Sequence, residues 1–562
     1  MRFATRTQIQ SLFALLALAA FAAPVYADDD AAVTYVDPVA EEGQAEEITE
    51  ITLREAVDLA IENNLGVEIE RHAPLIAQQD VSIAWSAYDP TLSASLAYTN
   101  DRQPVTNPNS PLNAVGDPKN AETAGTAGIT GLVPLLGATL SLDYSASRNT
   151  TNTGFAAFSP QYDSGLAIAL DIPLLKGLIW NSPWTQVKVT NLAHTSALEN
   201  FRDILIGTVS DVEAAYWGLV ADEEQLRVAT KSLQTGLALL EQTKTQYEVG
   251  VKSKVEVIQA EAGVAARELD VLSADARFWN SQDRLINVVY GVRLTPGMAM
   301  RLVLTDKPSD FQDIDVEPQI ATELAMQNRP ELASLHLEIE RQETLVRFQK
   351  NQRLPSLDLN LAYGTNGIRG KGNPVAFGGQ PPNSGGAYGE THNDWFSDDG
   401  GRNYTVGGTF SIPLGNSGPR HSVSKARFEL RRAKTRLIQL HQLIILEVRR
   451  DIRLLDASRK GIDASERQRV AAEEQLRAER IRLEHGESTP FDVLQKESDL
   501  VEAEVAKITA LQLYRTSASD LDRAQGTILR THNIVVGSVG GLRNGMERES
   551  FGVRDLLDPI LP

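Results

Sequence analysis

The chain carries one long segment twice, and the spacing of the two versions limits what it can fold into. Asp89-Pro90-Thr91-Leu92-Ser93-Ala94-Ser95-Leu96-Ala97-Tyr98 returns as Leu354-Pro355-Ser356-Leu357-Asp358-Leu359-Asn360-Leu361-Ala362-Tyr363, with the prolines 265 positions apart (355 − 90). Gly250, followed by Val257-Ile258-Gln259, returns as Gly486, followed by Val493-Leu494-Gln495, 236 positions on (486 − 250). Each version reads helix, alternating strand, polar loop, strand, very long helix, glycine turn, long helix. A duplication of this length turns the question to the shape that two copies build. The order of elements suits a conduit better than a catalyst.

The strands alternate strictly. Leu92, Ala94, Leu96 and Tyr98 share one side and Thr91, Ser93 and Ser95 the other; Leu357, Leu359, Leu361 and Tyr363 oppose Ser356, Asp358 and Asn360. Such alternation over about ten residues, with a small polar side, fits a membrane barrel strand, and it also fits a half-buried strand of a soluble sheet. A second strand closes each copy, at Leu166–Ile172 before Pro173 and at Val406–Ile412 before Pro413. Residues 99–123 and 364–404 are rich in Asn, Pro, Gly and Asp and read as long polar loops. The first copy is 25 residues longer between its prolines (173 − 90 against 413 − 355), and an extra hairpin over 124–148 accounts for the difference.

The helices that follow carry a heptad: Leu198, Leu205, Val212, Leu219, Leu226, Leu233, Leu240 and Tyr247. Val257, Val264, Val271, Phe278 and Leu285 continue it past Gly250. Sustained heptads mean helices packed at shallow angles, so each copy ends in an antiparallel helical hairpin that reverses at Gly250 or Gly486.

Arg2 and Arg6 ahead of an apolar run from Leu12 to Ala23, closing on Val25-Tyr26-Ala27, form a secretory signal peptide. No later stretch approaches the ~18 apolar residues of a membrane-spanning helix. With no cysteine, the chain has neither disulfides nor a lipidation site at its new N-terminus. Cleavage takes the formal charge from −20 to −22 by removing Arg2 and Arg6, so nucleic acid is not an expected partner. The eight histidines never occur at metal-ligand spacing, and neither a catalytic set nor a cofactor motif is expected.

These residues reach a family. The sequence resembles the TolC-like outer-membrane efflux proteins over roughly 50–295 and 318–530. The resemblance rests on Tyr247-Glu248-Val249-Gly250 with Glu256-Val257 and Ala260, and on Leu483-Glu484-His485-Gly486 with Asp492-Val493-Leu494. It also rests on the entry helices, Glu55-Ala56-Val57 to Asn63-Asn64 and Thr322-Glu323-Leu324-Ala325 to Asn328, and on Ile172-Pro173-Leu174 and Ile412-Pro413-Leu414. The resemblance implies an α+β membrane protein that is not an enzyme. Long coiled-coil hairpins would form a periplasmic α-barrel, and a β-barrel in the outer-membrane lipid would be shared among the chains of a homotrimer. It implies a passive channel-tunnel of a tripartite efflux or type I secretion system, docking a periplasmic adaptor (membrane fusion) protein and through it an inner-membrane transporter. The adaptor would meet the turns Val249-Gly250-Val251 and His485-Gly486-Glu487. Asp492 would ring the periplasmic mouth as a gate whose crowded carboxylates titrate upward, with Gln495 at the family's second acidic position. Family barrels commonly have twelve strands; the hairpin at 124–148 leaves twelve and eighteen open, or a fold over the rim, with twelve favoured. The expected organisation is a signal peptide (1–27), a disordered acidic leader (28–50), a first repeat (51–295), a linker (296–317), a second repeat (318–530) and a tail (531–562). The competing reading is a periplasmic or surface coiled-coil structural protein.

Overall fold

A computed structural model describes residues 47–102, 119–153, 156–291, 300–309, 313–373, 385–397 and 401–535. The segment read as a signal peptide and most of the leader and tail lie outside them. The chain divides into two units, Met1–Glu47 with Thr295–Met300, and Ile48–Leu294 with Arg301–Pro562. Of the first, Glu47 and Met300 are described.

Strand β1 (Glu47–Ile51) pairs with β6 (Met300–Leu304). The end of the segment read as disordered leader is therefore a strand, held by a partner in the segment read as linker. Thr52 then caps α1 (Leu53–Asn63) in a capping box, with the Glu55 carboxylate accepting from the Thr52 amide at 2.9 Å. Asn64 ends α1 and caps α2 (Leu65–Trp85), its side-chain oxygen accepting from the amides of Gly66 and Val67. The second entry pair is α5 (Pro318–Asn328) and α6 (Pro330–Gln352).

Six strands form one antiparallel sheet: β2 (Thr91–Arg102), β3 (Lys119–Val133), β4 (Ala138–Thr151), β5 (Phe158–Pro173), β7 (Ser356–Gly372) and β8 (Gly401–Ser411), in the order β2-β3-β4-β5-β7-β8. The hairpin expected at 124–148 is β3 and β4. It lies inside the sheet between β2 and β5, so it does not fold over a rim. Its tight turn at Pro134–Gly137 has Leu135 and Gly137 at φ 69° and 61°. The strands also run further than the sequence suggests. β2 reaches Arg102 and β7 reaches Gly372, well into segments read as loops. Ladder hydrogen bonds are made by backbone alone, so Ala-, Gly- and Thr-rich stretches hold them without a clear side-chain pattern. Within 364–404, Tyr388–Phe396 folds into a 3-10 strap. Residues 103–118 and 374–384 lie outside the described ones.

Helix α3 (Ser182–Glu248) has 67 residues, about 100 Å at 1.5 Å per residue. It reverses into α4 (Lys254–Tyr290), as α7 (Ser417–Glu484) reverses into α8 (Pro490–Gln525). Leu205, Val212 and Leu219 of the heptad are buried, together with Tyr216 and Val209. Nearer Gly250 the buried row becomes Ser232, Gly236, Leu239 and Thr243, and Tyr247 is 45 % exposed. An α-helix drifts ~20° per heptad against a strict seven-residue repeat, and over this length the leucine row turns off the interface. Contrary to the expectation for segments after the signal peptide, α3 contains an 18-residue window apolar enough to cross a membrane, with mean hydropathy 1.3. Two thirds of it (67 %) is buried against other helices, which is why it is apolar. The second copy's core gathers Ala321, Ala325, Leu332, Ile444, Val448 and Ala524 from α5, α6, α7 and α8.

Candidate functional site

The sheet has two unlike faces. One register row crosses all six strands: Leu92, Ile129, Leu142, Ile168, Tyr363 and Tyr404. Every member of that row is between 44 % and 82 % exposed. The next row toward the helices on the same face adds Leu140, Leu170, Leu361 and Val406. An apolar surface this continuous marks contact with something other than water. The opposite face carries Ser, Thr, Gly and Ala with Asp101, Glu122, Asp143, Asp163, Asp171 and Asp358. Its carboxylates accept hydrogen bonds along the sheet, Asp143 from Ser141 (2.8 Å), Asp163 from Ser147 (3.2 Å) and Asp171 from Asn360. Among the described residues, no strand pairs with the outer edge of β2 or of β8.

The strap crosses the apolar face at the end away from the helices. The Tyr144 hydroxyl bonds both Tyr388 and His392 (2.9 Å to Nε2), and the Trp395 indole donates to Ser164 Oγ at 3.1 Å. Arg369 pairs with Asp394, and Thr365 donates to the Trp395 carbonyl. A β-carbon on Gly367 would stand 1.9 Å from the Thr391 carbonyl oxygen, so only glycine admits the strap there. Phe396, at its end, is 81 % exposed. None of this was read from the sequence, where the strap's residues look like polar loop.

At the other end of the helices, the two turns share one construction. Val251 donates to Gln246 O and Gly250 to Tyr247 O (2.9 Å each); Glu487 donates to Arg482 O (2.9 Å) and Gly486 to Leu483 O (3.1 Å). These paired bonds make the Schellman stop, whose left-handed position suits glycine, and Gly250 and Gly486 both have φ 77°. The chain then re-enters a helix through a capping box, Ser253 with Glu256 and Thr489 with Asp492. The turns differ in chemistry. The first exposes Tyr247, Val249, Val251, Val255 and Ile258, and the second exposes His485, Glu487 and Phe491.

Asp492 is fully exposed at the start of α8. Its carboxylate accepts from the Thr489 hydroxyl (2.7 Å) and amide (3.2 Å), and these bonds hold it below the usual carboxylate range. Within one chain, then, the cap moves it opposite to the upward shift expected of a ring. Glu256 is likewise held low, chiefly by the Ser253 amide. Gln495 donates to Asp499 at 3.3 Å one turn on. Behind Asp492, Arg267 of α4 ties the two hairpins together. It donates to Ser232 Oγ, Gly263 O and Leu494 O at 3.1 Å each, with Glu497 Oε2 at 3.7 Å. Gly236 leaves room for it, since a β-carbon there would stand 3.0 Å from Arg267 Cδ. Burial pushes the Glu497 carboxyl up, against the pull of Arg267. Sequence spacing gave no signal for this pair.

A family model described as outer membrane efflux protein matches residues 56–289 and 321–527. No curated protein matches the chain. Among solved structures, the CmeC outer membrane channel of Campylobacter jejuni superposes with a TM-score of 0.57 at 16 % identity, over 87 % of this chain and 91 % of that one. The outer membrane protein VceC of Vibrio cholerae gives 0.56 at 14 %, over 84 % and 96 %. The open-state MtrE outer membrane channel of Neisseria gonorrhoeae gives 0.55 at 16 %, over 85 % and 89 %. At these identities the likeness is one of fold.

Proposed function

The chain belongs to the outer membrane efflux protein family and resides in the outer membrane, and from that premise we propose that three copies share one β-barrel there and serve as the passive exit duct of a tripartite efflux or type I secretion system. The observation that carries this reading is the six-stranded sheet with one apolar face and two open edges. A sheet edge cannot stand in lipid with its backbone groups unpaired, so β2 of one copy pairs with β8 of the next until the ring closes. Three copies of six strands make eighteen, not the twelve favoured by the family resemblance. The small-polar face then lines the duct, and the helices carry it into the periplasm. A soluble coiled-coil structural protein, the other reading of the sequence, leaves the apolar face without a role.

In this assembly, residues 1–27 direct export, and the repeats at 51–295 and 318–530 each supply strands and one helical hairpin. The turns at Val249-Gly250-Val251 and His485-Gly486-Glu487 form the periplasmic tips. A periplasmic adaptor docks on them, the valines supplying apolar contact and the second turn supplying charge, and links the duct to an inner-membrane transporter. Asp492 from three copies rings the mouth, with Gln495 behind it. Light scattering of the detergent-solubilised protein tests the assembly: a mass of three chains is expected, and a mass of one chain contradicts the shared barrel.

A further inference from the structure

The strands of the sheet contain six basic side chains and six carboxylates, and the two signs separate by face. Alternation from Leu92 puts Arg102 on the apolar face. Register carries the same face through Lys119, Arg148, Arg369 and Arg402, and alternation adds Lys371. Every strand carboxylate falls on the opposite face. A surface shaped only for solubility mixes its signs.

The basic residues also lie toward the strand ends away from the helices, Arg102 opposite Lys119, Arg148 and Arg369 both opposite Tyr162, and Arg402 opposite Thr365. Arg102 lies ten positions past Leu92 (102 − 92), and Arg148 six past Leu142, which shares the Leu92 row (148 − 142). Ten residues rise roughly 33 Å along a strand, about 25 Å along a barrel axis at a tilt of about 40°. That is the height of the apolar band of such barrels, about 25 Å. Arg102 and its register partner Lys119 therefore stand at the outer rim of the band, with Arg148, Arg369 and Lys371 next below and Arg402 lower on its strand; the strap's exposed Phe396 lies toward the same end. Lys119, Arg148, Lys371 and Arg402 make no ion pair among the described residues, whereas Arg369 is engaged by Asp394 of the strap.

We infer that this rim binds the phosphate groups of anionic glycolipid in the outer leaflet, its ammonium and guanidinium groups pairing with phosphate oxygens while the apolar rows below meet the acyl chains. Charge-assisted pairs of this kind are the strong ones at an interface. The inference rests on the shared-barrel reading, because only a sheet closed into a barrel turns this whole face to lipid.

The test uses the full-length protein, with its mass checked in the same detergent. Lipid A and its dephosphorylated form are offered to it, and the lipid retained per trimer is measured by mass spectrometry. Retention of the phosphorylated form about tenfold or more above the other is expected. Replacing the four unengaged cations together, Lys119→Gln, Arg148→Gln, Lys371→Gln and Arg402→Gln, should abolish that preference; Asp143→Asn with Asp171→Asn on the opposite face should leave it intact. Equal retention of the two lipids, or an unchanged preference in the fourfold variant, overturns the inference. So does displacement of bound lipid by inorganic phosphate alone, which would mark a small-anion site. If the fourfold variant does not assemble, the comparison of the two lipids on the unaltered protein decides. A monomeric mass would instead count against the shared barrel itself.

Discussion

In the proposed assembly, Asp492 would combine a structural and a functional role on one carboxylate. Its hydrogen bonds to Thr489 fix the start of α8, which keeps the side chain in one place. Assembly of three copies would then set three such charges around the mouth, where a ring of carboxylates favours cations and can hold a blocking divalent ion. Asp492→Asn keeps an acceptor for the cap while removing the charge. It should weaken cation selectivity and divalent block in planar-bilayer recordings, and Glu256→Gln, in the same cap position of the first hairpin, should do so less. Unchanged selectivity and block in Asp492→Asn would reduce the residue to a helix cap. Glu256 and Asp492 were read in the sequence as family positions and not as helix caps, whereas the two turn glycines were legible there, because each acts within a few neighbouring positions. Arg267 and Glu497 were not. They lie 230 positions apart (497 − 267), and each sits on a long charged helix that reads as a solvated face.

At the scale of elements, the strap and the second hairpin each yield an expectation. Gly367→Ala puts a methyl group where the Thr391 carbonyl stands, so it should unseat the strap without touching the ladder beneath. Protease added to intact cells should then cut within 385–397 sooner than in the unaltered protein, with trimers still present; equal cutting would mean the strap does not rest on β7. In the second hairpin, Glu466 accepts from Arg469 and from Lys507 across the helix pair, and Arg469 also holds Glu473. Arg469 first, then Lys507, brings the Glu466 carboxyl down to about 2. A carboxyl lowered on folding contributes stability above its unfolded value, near 4.5, and loses that contribution as pH falls toward the folded one. The gap in melting temperature between the unaltered protein and Glu466→Gln should therefore shrink from pH 4.5 to about 2. Because the site is exposed, the gap reflects less than about 1 kcal/mol even at neutral pH. A gap independent of pH would show that the network contributes only packing. The helical hairpins were legible because their apolar periods are long. The sheet was only partly so: β2, β5 and β7 show leucine alternation and β8 alternates Tyr404, Val406 and Phe410, whereas much of β3 is Ala, Gly and Thr, whose face is set by pairing with Leu92 and Leu142 on its neighbours.

For the whole molecule, the central point is closure. The sequence disclosed copies, strands and long hairpins, and therefore an open sheet in need of partners. It did not disclose that the extra hairpin lies inside the sheet, because 124–148 carries no mark of which strands flank it. Placing β3 and β4 between β2 and β5 raises the strand count per chain to six and widens the proposed duct. The most direct test joins the edges covalently. The chain has no cysteine, so cysteines introduced in pairs along β2 and β8, for example at Ser95 with Thr405, report only on the contact between copies. Scanning the β8 partner along the strand finds the register. Oxidation in the membrane should give cross-linked dimers and trimers and nothing larger, the trimer dominating at the best-matched pair. Monomers throughout the scan, or a ladder running past three chains, would contradict a barrel closed by three copies.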